Sequence, residues 1–462
     1  MTVALTLPLS TLSDDELDMV HAMLKKLEVY EASNSLKEKY YEGEQTTRHL
    51  GISIPPHLQS IETVVGWAGI TVDALDERLD WHGWRSYDGD DFGLGEVYRS
   101  NELDIESGLA IKDALIYGTS FIVAGSGYEG EASPLITVES PRNMTGLWDN
   151  RKRRLTAALA VNGRDNSGHA DDVTLYLPEA TIRLSNSNGV WYVEDRDDHN
   201  LGRVPVAQLV NDPRASRMGG RSEISKAIRS YVDQGVRTML GMEINREFYS
   251  FPQRYMMGAD LDMFKDEDGN PLPGWAAVMS KMLVSPTNEE GNNPDVGQFS
   301  AASPAPYLEQ IRGLSQLVAA EAGLPVSYLG FVTENPPSAD AIRAMEQRLV
   351  RKAERRQRMF NRAFTEIGAV ALTIRDGSIP DGYTGLGHKW AEPSTPTRSA
   401  AADEATKLIG SGVLPADSTV TYDRLGFDPS EQRELEAEKR RANASNNLDA
   451  IRQAVAGTNT GE

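Results

Sequence analysis

The sequence contains no cysteine. That excludes disulfides and thiolate metal sites, and it predicts an intracellular origin. Its seven histidines are scattered, with no H-x-x-x-H pair to suggest zinc. No apolar run approaches the roughly 18–20 residues that span a bilayer, so no membrane partner is expected. The opening, MTVALTLPLSTLSDDELD, lacks the basic n-region of a signal peptide. There is no G-x-x-x-x-G-K-[ST] to cradle phosphates and no G-x-S-x-G to present a nucleophile. Positive charge is also in short supply: 47 Lys and Arg stand against 68 Asp and Glu, a net charge of −21. Such a chain does not grip nucleic acid through its whole surface, because it repels phosphates. A repelling wall still lets nucleic acid slide past.

What remains is a globular chain of 462 residues, 40% hydrophobic and 25% charged, long enough for several domains. Residues 13–43 read as a helix, with Ser13 as cap, Asp14, Asp15 and Glu16 in the first turn and Gly43 at the end. Two further helical patterns follow, in IETVVGWAGITVDALDERL and over residues 100–117, the second stopped by Gly118. WHGWRSYDGDDFGLGE, between them, breaks the pattern. The period then becomes alternating. TSFIVAG, PLITVES, RLTAALAVNG, VTLYLPE, ATIRLSN and VWYVEDR predict strands, and Asn186-Ser187-Asn188-Gly189 predicts a tight turn. Residues 25–215 therefore read as α+β, helices first and then an antiparallel meander.

Ser222 opens a long helix striped with Ile224, Ile228, Tyr231, Val232, Val236, Met239, Leu240 and Ile244, ending before Phe251-Pro252. A turn-rich excursion over 252–303 leads to a returning helix striped with Leu308, Ile311, Leu314, Leu317 and Val318. Then comes the longest helical pattern. Ser338 is its N-cap, Ile342, Met345, Leu349, Ala353, Phe360, Phe364, Ile367, Val370 and Ile374 its stripe, and Asp376-Gly377 its stop. About 38 residues at 1.5 Å each make a rod of roughly 57 Å, which needs a large partner surface. Its first half is basic, with Arg343, Arg348, Arg351, Lys352, Arg355, Arg356, Arg358 and Arg362. Pairing with Glu346 and Glu354 along a solvated face is one reading. Contact with acidic neighbours or with nucleic acid is the other. After Gly377 a Gly/Pro-rich connector leads to a helix over about 398–409 and a charged helical tail.

Candidate catalytic and metal clusters are weak. Asp91-Phe92-Gly93 matches a kinase tripeptide without the other kinase elements. Asp88-Gly89-Asp90-Asp91 suggests calcium, but Phe92 and Arg99 fall at ligand positions of the loop. Asp195, Asp197, Asp198 and His199 suggest a solvated hairpin end more than a metal site. No catalytic residue, metal ligand or cofactor is predicted.

The order of parts, together with local motifs, resembles bacteriophage portal proteins, most of all those of tailed phages infecting actinobacteria. The motifs are YYEGEQ (40–45), VDALDERLDWHGWR (72–85), GRSEI (220–224), FPQRYMMGAD (251–260), AASPAPYLEQIRGL (301–314), GLPVSYLGFVTENPPSADAIRA (323–344) and YDRLGFDPSEQ (422–432). The resemblance implies a ring of about a dozen subunits, a dodecamer, at one capsid vertex of the virion, assembled in the host cytoplasm. It implies a channel for packaging and ejecting double-stranded DNA without sequence specificity. The implied partners are the major capsid protein, the large terminase motor and a head-completion adaptor. By the same likeness, residues 1–24 form an N-terminal arm, 25–221 the wing, 222–249 the first stem helix, 250–304 the clip and 305–323 the second stem helix. Residues 324–337 form the channel loop, 338–377 the long wing helix, 378–394 a connector, 395–456 the crown and 457–462 a frayed tail. Channel contact is expected at Phe331, Val332, Thr333, Glu334 and Asn335. Stem roles fall to Arg229, Arg237, Arg246 and Arg312, and the clip interface to Arg254, Tyr255, Trp275, Met279 and Met282. Arg343, Arg348, Arg351, Arg355, Arg358 and Arg362 are expected between subunits. The alternative is another virion assembly component, capsid or baseplate, which would lack the excursion between two helices followed by a loop and a long helix.

Overall fold

The computed structural model describes residues 12–46, 63–85, 91–249, 254–257, 295–298, 303–330, 338–394, 398–427, 431–442 and 444. Phe331–Asn335, Trp275, Met279 and Met282 lie outside these residues. The chain divides into two units, Met1–Pro393 and Ser394–Glu462.

Helix α1 (Asp14–Glu42) starts in a reciprocal capping box. Ser13 Oγ accepts from Glu16 N at 3.3 Å and Glu16 Oε2 accepts from Ser13 N at 2.8 Å, so two orphan amides are satisfied together. Its first half buries Val20, Met23 and Leu27, and its end buries Tyr40 in a different core. After α2 (Trp67–Asp76) comes a short strand, β1 (Trp81–Arg85), then α3 (Leu94–Ser100) and α4 (Leu103–Tyr117). The strands that follow are β2 (Thr119–Gly125), β3 (Leu135–Glu139), β4 (Met144–Asp149), β5 (Arg154–Arg164), β6 (Ala170–Tyr176), β7 (Thr181–Ser187), β8 (Val190–Asp197) and β9 (Val206–Val210).

They form two antiparallel sheets instead of one meander. One has the order β3-β2-β9, and the other runs β4-β5-β6-β7-β8 in sequence. The turn between β7 and β8 is the predicted one. Asn188 and Gly189 both take positive φ, 54° and 82°, the two-residue hairpin geometry that matches strand twist. The five-stranded sheet buries Leu159, Val173, Leu175, Ile182 and Leu184 under the first half of α1.

Helix α5 (Lys226–Tyr249) and helix α6 (Ala305–Ala322) pack against each other, and the strands β10 (Arg254–Met257) and β11 (Asp295–Gln298) pair between them. The helix begins at Lys226, later than the predicted Ser222. Ser222 instead donates to Ile116 O, and Ser225 Oγ caps by accepting from Ile228 N at 3.3 Å. Of the predicted stripe of α5, Ile224, just before the helix, and Ile228, Val232, Val236 and Leu240 are buried, whereas Tyr231, Met239 and Ile244 are half-buried. That of α6 is buried at Leu314 and Val318 only, with Leu308 and Leu317 54% and 49% exposed.

The long helix α7 (Ala339–Asp376) has the expected cap and stop. Ser338 Oγ accepts from Ala341 N, and Gly377 adopts φ 78°. Its second half runs through the main core against β2 and β9, and its Phe364 ring stacks on Trp81 at 3.9 Å between centroids. A last strand, β12 (Gly387–Trp390), returns to pair with β1, so that Trp84 faces His388. In the second unit, α8 (Arg398–Gly410) and α9 (Thr419–Leu425) pack together. Residues 431–442 are also helical, and Lys439 lies over the Tyr422 ring at 5.1 Å.

Candidate functional site

Two arrangements tie the first half of α7 to the rest of its unit. The first is ionic and begins with backbone geometry. Gly220 adopts φ 76°, and a Cβ there would lie 2.1 Å from Gly118 O, so only glycine lets the chain pass so close. That passage delivers Arg221, Ser222 and Glu223 beneath α7. Glu223 N donates to Leu115 O at 2.9 Å, which fixes the residue further.

The Glu223 carboxylate is then gripped on both oxygens. Oε2 meets Lys352 Nζ at 2.7 Å, and Oε1 accepts from Arg356 Nη2 at 3.0 Å and from Asn211 Nδ2 at 3.0 Å. Arg356 also reaches Asp212 Oδ1 at 3.3 Å and is only 5% exposed. Burial alone would raise the Glu223 pKa, but Lys352 and Arg356 prevail and hold it at about 2. The carboxylate is therefore charged at all ordinary pH. Lys352 Nζ donates in addition to Ala322 O at 3.0 Å, and Arg348 Nη1 to Ala320 O at 2.9 Å, which moors α7 to the end of α6. Around this hub opens a cleft of about 380 Å³. Six cationic side chains line it, Arg221, Arg348, Arg351, Lys352, Arg355 and Arg356, against three acidic ones, Asp212, Glu223 and Glu321.

The second arrangement is a clamp. A short 3-10 turn, Val326–Leu329, precedes residues 331–337, and α7 follows them. Tyr328 OH donates to Glu346 Oε1 at 2.8 Å and accepts from Arg78 Nη2 at 2.8 Å. Arg78 lies 3.4 Å from Glu346 Oε2, and its Nη1 donates to Pro393 O at 2.6 Å. One guanidinium, 8% exposed, thus holds both flanks of residues 331–337 and the last residue of the first unit. Burial, and then the hydrogen bond to Glu346, raise the Tyr328 pKa.

The predicted site residues separate in space. Arg348, Arg351 and Arg355 share the cleft, whereas Arg362 lies 5.1 Å from the Trp148 ring centroid in its own chain. Arg358 is exposed outside the cleft lining, and Arg343 is exposed on the first turns of α7. Glu346 pairs with Arg78 and, among the described residues, with no cation of its own helix. Arg229 stands over the Tyr40 ring at 5.9 Å, Arg246 pairs with Glu243 at 2.7 Å, Arg237 is half-buried on α5, and Arg312 is exposed on α6. Arg254 and Tyr255 fall in β10, where Tyr255 is exposed.

Glu223, Asn211, Asp212 and Arg78 were not predicted as site residues, and Tyr328, expected in the channel loop, sits in a 3-10 turn bonded to Glu346. A signal for Arg356 exists: it interrupts the apolar stripe between Ala353 and Phe360, and a cation on a buried face demands a buried anion. Of the weak clusters, Asp88, Gly89 and Asp90 lie outside the described residues, and Asp195 and Asp197 fall in β8. Asp91 accepts from Gly93 N and Gly95 N at 3.0 and 2.9 Å, and His199 contacts Thr181 Oγ1 and Leu201 N. Among the described residues no group of His, Asp or Glu is placed to hold a metal.

Known proteins are similar to this chain in sequence. A family model described as phage portal protein, SPP1 Gp6-like, matches residues 33–444. The portal protein of Mycobacterium phage L5 is 34% identical over 418 residues, covering 87% of this chain and 84% of its own. That of Mycobacterium phage D29 is 33% identical over 410 residues, covering 86% and 83%. Among solved structures, the neck of a native gene transfer agent particle computed with C12 symmetry aligns over 79% of this chain and 90% of its own, at 14% identity and a TM-score of 0.42. The neck of the empty particle, computed with C6 symmetry, aligns at 15% identity and a TM-score of 0.43. The chain belongs to the phage portal protein family, a family of virion structural proteins and not of enzymes.

Proposed function

We propose that copies of the chain close into a ring, a dodecamer, at one vertex of the capsid, and that the ring is the channel through which double-stranded DNA is packaged and ejected. The Arg78–Tyr328–Glu346 clamp carries this reading. A loop working against a moving polymer needs rigid flanks, and both flanks of residues 331–337 are held by one buried guanidinium. In this reading Phe331, Val332, Thr333, Glu334 and Asn335 form a collar toward the DNA. The charge of −21 suits passage over binding, since repeated acidic surfaces repel phosphates. The excursion between α5 and α6, closed by β10 and β11, is the docking platform for the large terminase and later for the head-completion adaptor. The second unit is the crown, facing the capsid interior, and the major capsid protein surrounds the wing. A ring of identical subunits uses two different patches of each copy, a contact that closes by rotation.

Deleting residues 331–335 tests the collar. Rings should persist in electron micrographs while DNA packaging into capsids falls. Normal packaging by the deleted protein would overturn the collar.

A further inference from the structure

The basic cleft has more positive charge than its own chain uses. Its three acids are all engaged: Glu223 by Lys352, Arg356 and Asn211, Asp212 by Arg356, and Glu321 by Arg221 at 3.4 Å and Ser225 Oγ at 3.1 Å. Arg351 and Arg355 line the cleft, are exposed, and make no hydrogen bond or ion pair among the described residues. With Arg348 they stand at i, i+3 and i+7 on one helical face, where neighbouring like charges repel one another. An external anion removes that strain.

We propose that the cleft receives carboxylates from a second copy of this chain, and that Arg351 and Arg355 fork onto them. The proposal rests on the ring reading above and names the chemistry of one of its contacts. Charge argues for the occupant. Each copy carries 68 acidic and 47 basic side chains, so copies repel one another unless a basic patch on one meets an acidic surface on the next. A ring contact joins two unlike patches and permits that match. Shape argues likewise. A cleft of about 380 Å³ admits one or two carboxylate side chains, not the width of a duplex. Lys352 and Arg356 are already locked by Glu223 and add a fixed positive field, while the two free guanidinium groups offer planar donor pairs matched to a carboxylate.

The test compares the full-length protein with its Arg351→Glu/Arg355→Glu variant by mass photometry and thermal melting. At concentrations where both are monomeric the variant should melt like the parent, because neither arginine holds its own chain, and where the parent assembles the variant's ring fraction should fall by about tenfold or more. Arg151→Glu, in the exposed turn between β4 and β5 and outside every predicted contact, should keep its rings. Rings in the double variant as abundant as in the parent would overturn the cleft contact and leave the ring reading standing. A parent protein that never forms rings would overturn both. Equal loss in Arg151→Glu would overturn the cleft as the specific receptor. So would intact rings combined with loss of duplex DNA binding in a gel-shift assay, an outcome that assigns the free arginines to nucleic acid.

Discussion

The two halves of α7 are one continuous helix held by different physics. Beyond Arg358 it is a core element. Phe360, Ala363, Phe364, Ile367, Val370, Ala371 and Leu372 are each at most 3% exposed. Before that point, among the described residues, only Leu349, Ala353 and Arg356 are buried, Ile342 and Met345 are 41% and 45% exposed, and the mooring is ionic, through Glu223, Asp212 and the α6 carbonyls. Apolar burial is non-directional and strong. Ion pairs are directional, and they fail if one partner is removed. The arrangement gives a rod fixed at one end by its core, with a charged surface left over at the other end.

Four changes break or sharpen that contrast. The largest effect is expected from Phe364→Ala, which removes the ring stacked on Trp81. It should destabilise the first unit by about 3–5 kcal/mol in denaturant unfolding. Arg356→Met should come next. It strips the nearly buried Glu223 of one of its two cations, and loss of about 3 kcal/mol is expected. Adding Glu223→Gln should restore part of that loss, an effect the apolar half cannot show.

Acid should separate the halves more gently. The Glu223 pKa is depressed from its ordinary 4.5 to about 2, so its stabilisation is complete above pH 4.5 and is lost as pH falls toward about 2. Hydrogen-exchange protection over residues 345–356, corrected for intrinsic rates, should fall across that window faster than protection over 360–374. Equal loss in both halves would mean that the ionic mooring is not what holds the first. The smallest effect belongs to Arg355→Ala, which should change stability by no more than about 0.5 kcal/mol, because the side chain is exposed and unpaired.

The same contrast explains what was legible in the sequence. Periodicity located α7, its Ser338 cap and its Gly377 stop, because local rules govern all three. It placed Phe360 through Val370 in the core correctly. It failed at Ile342 and Met345, and at Leu308 and Leu317, where an apolar stripe runs on past the surface that one subunit offers. Strands β1 and β12 escaped because they are short and pair across most of the first unit, with a register shift between Trp81 and Trp84. β4 and β9 escaped too, being brief runs without clear alternation. The site was less legible than the fold. The basic residues were visible as a run, but which were locked and which were free depended on Glu223, Asn211 and Asp212, and on a glycine crossing that no local pattern announces. The Arg78 clamp joins residues far apart in sequence and had no local signal.

Electron micrographs of the purified full-length protein, viewed end-on, test the ring directly. Closed rings of about a dozen copies around a central channel are predicted. Monomers or dimers alone, at every protein concentration and salt tried, would contradict it.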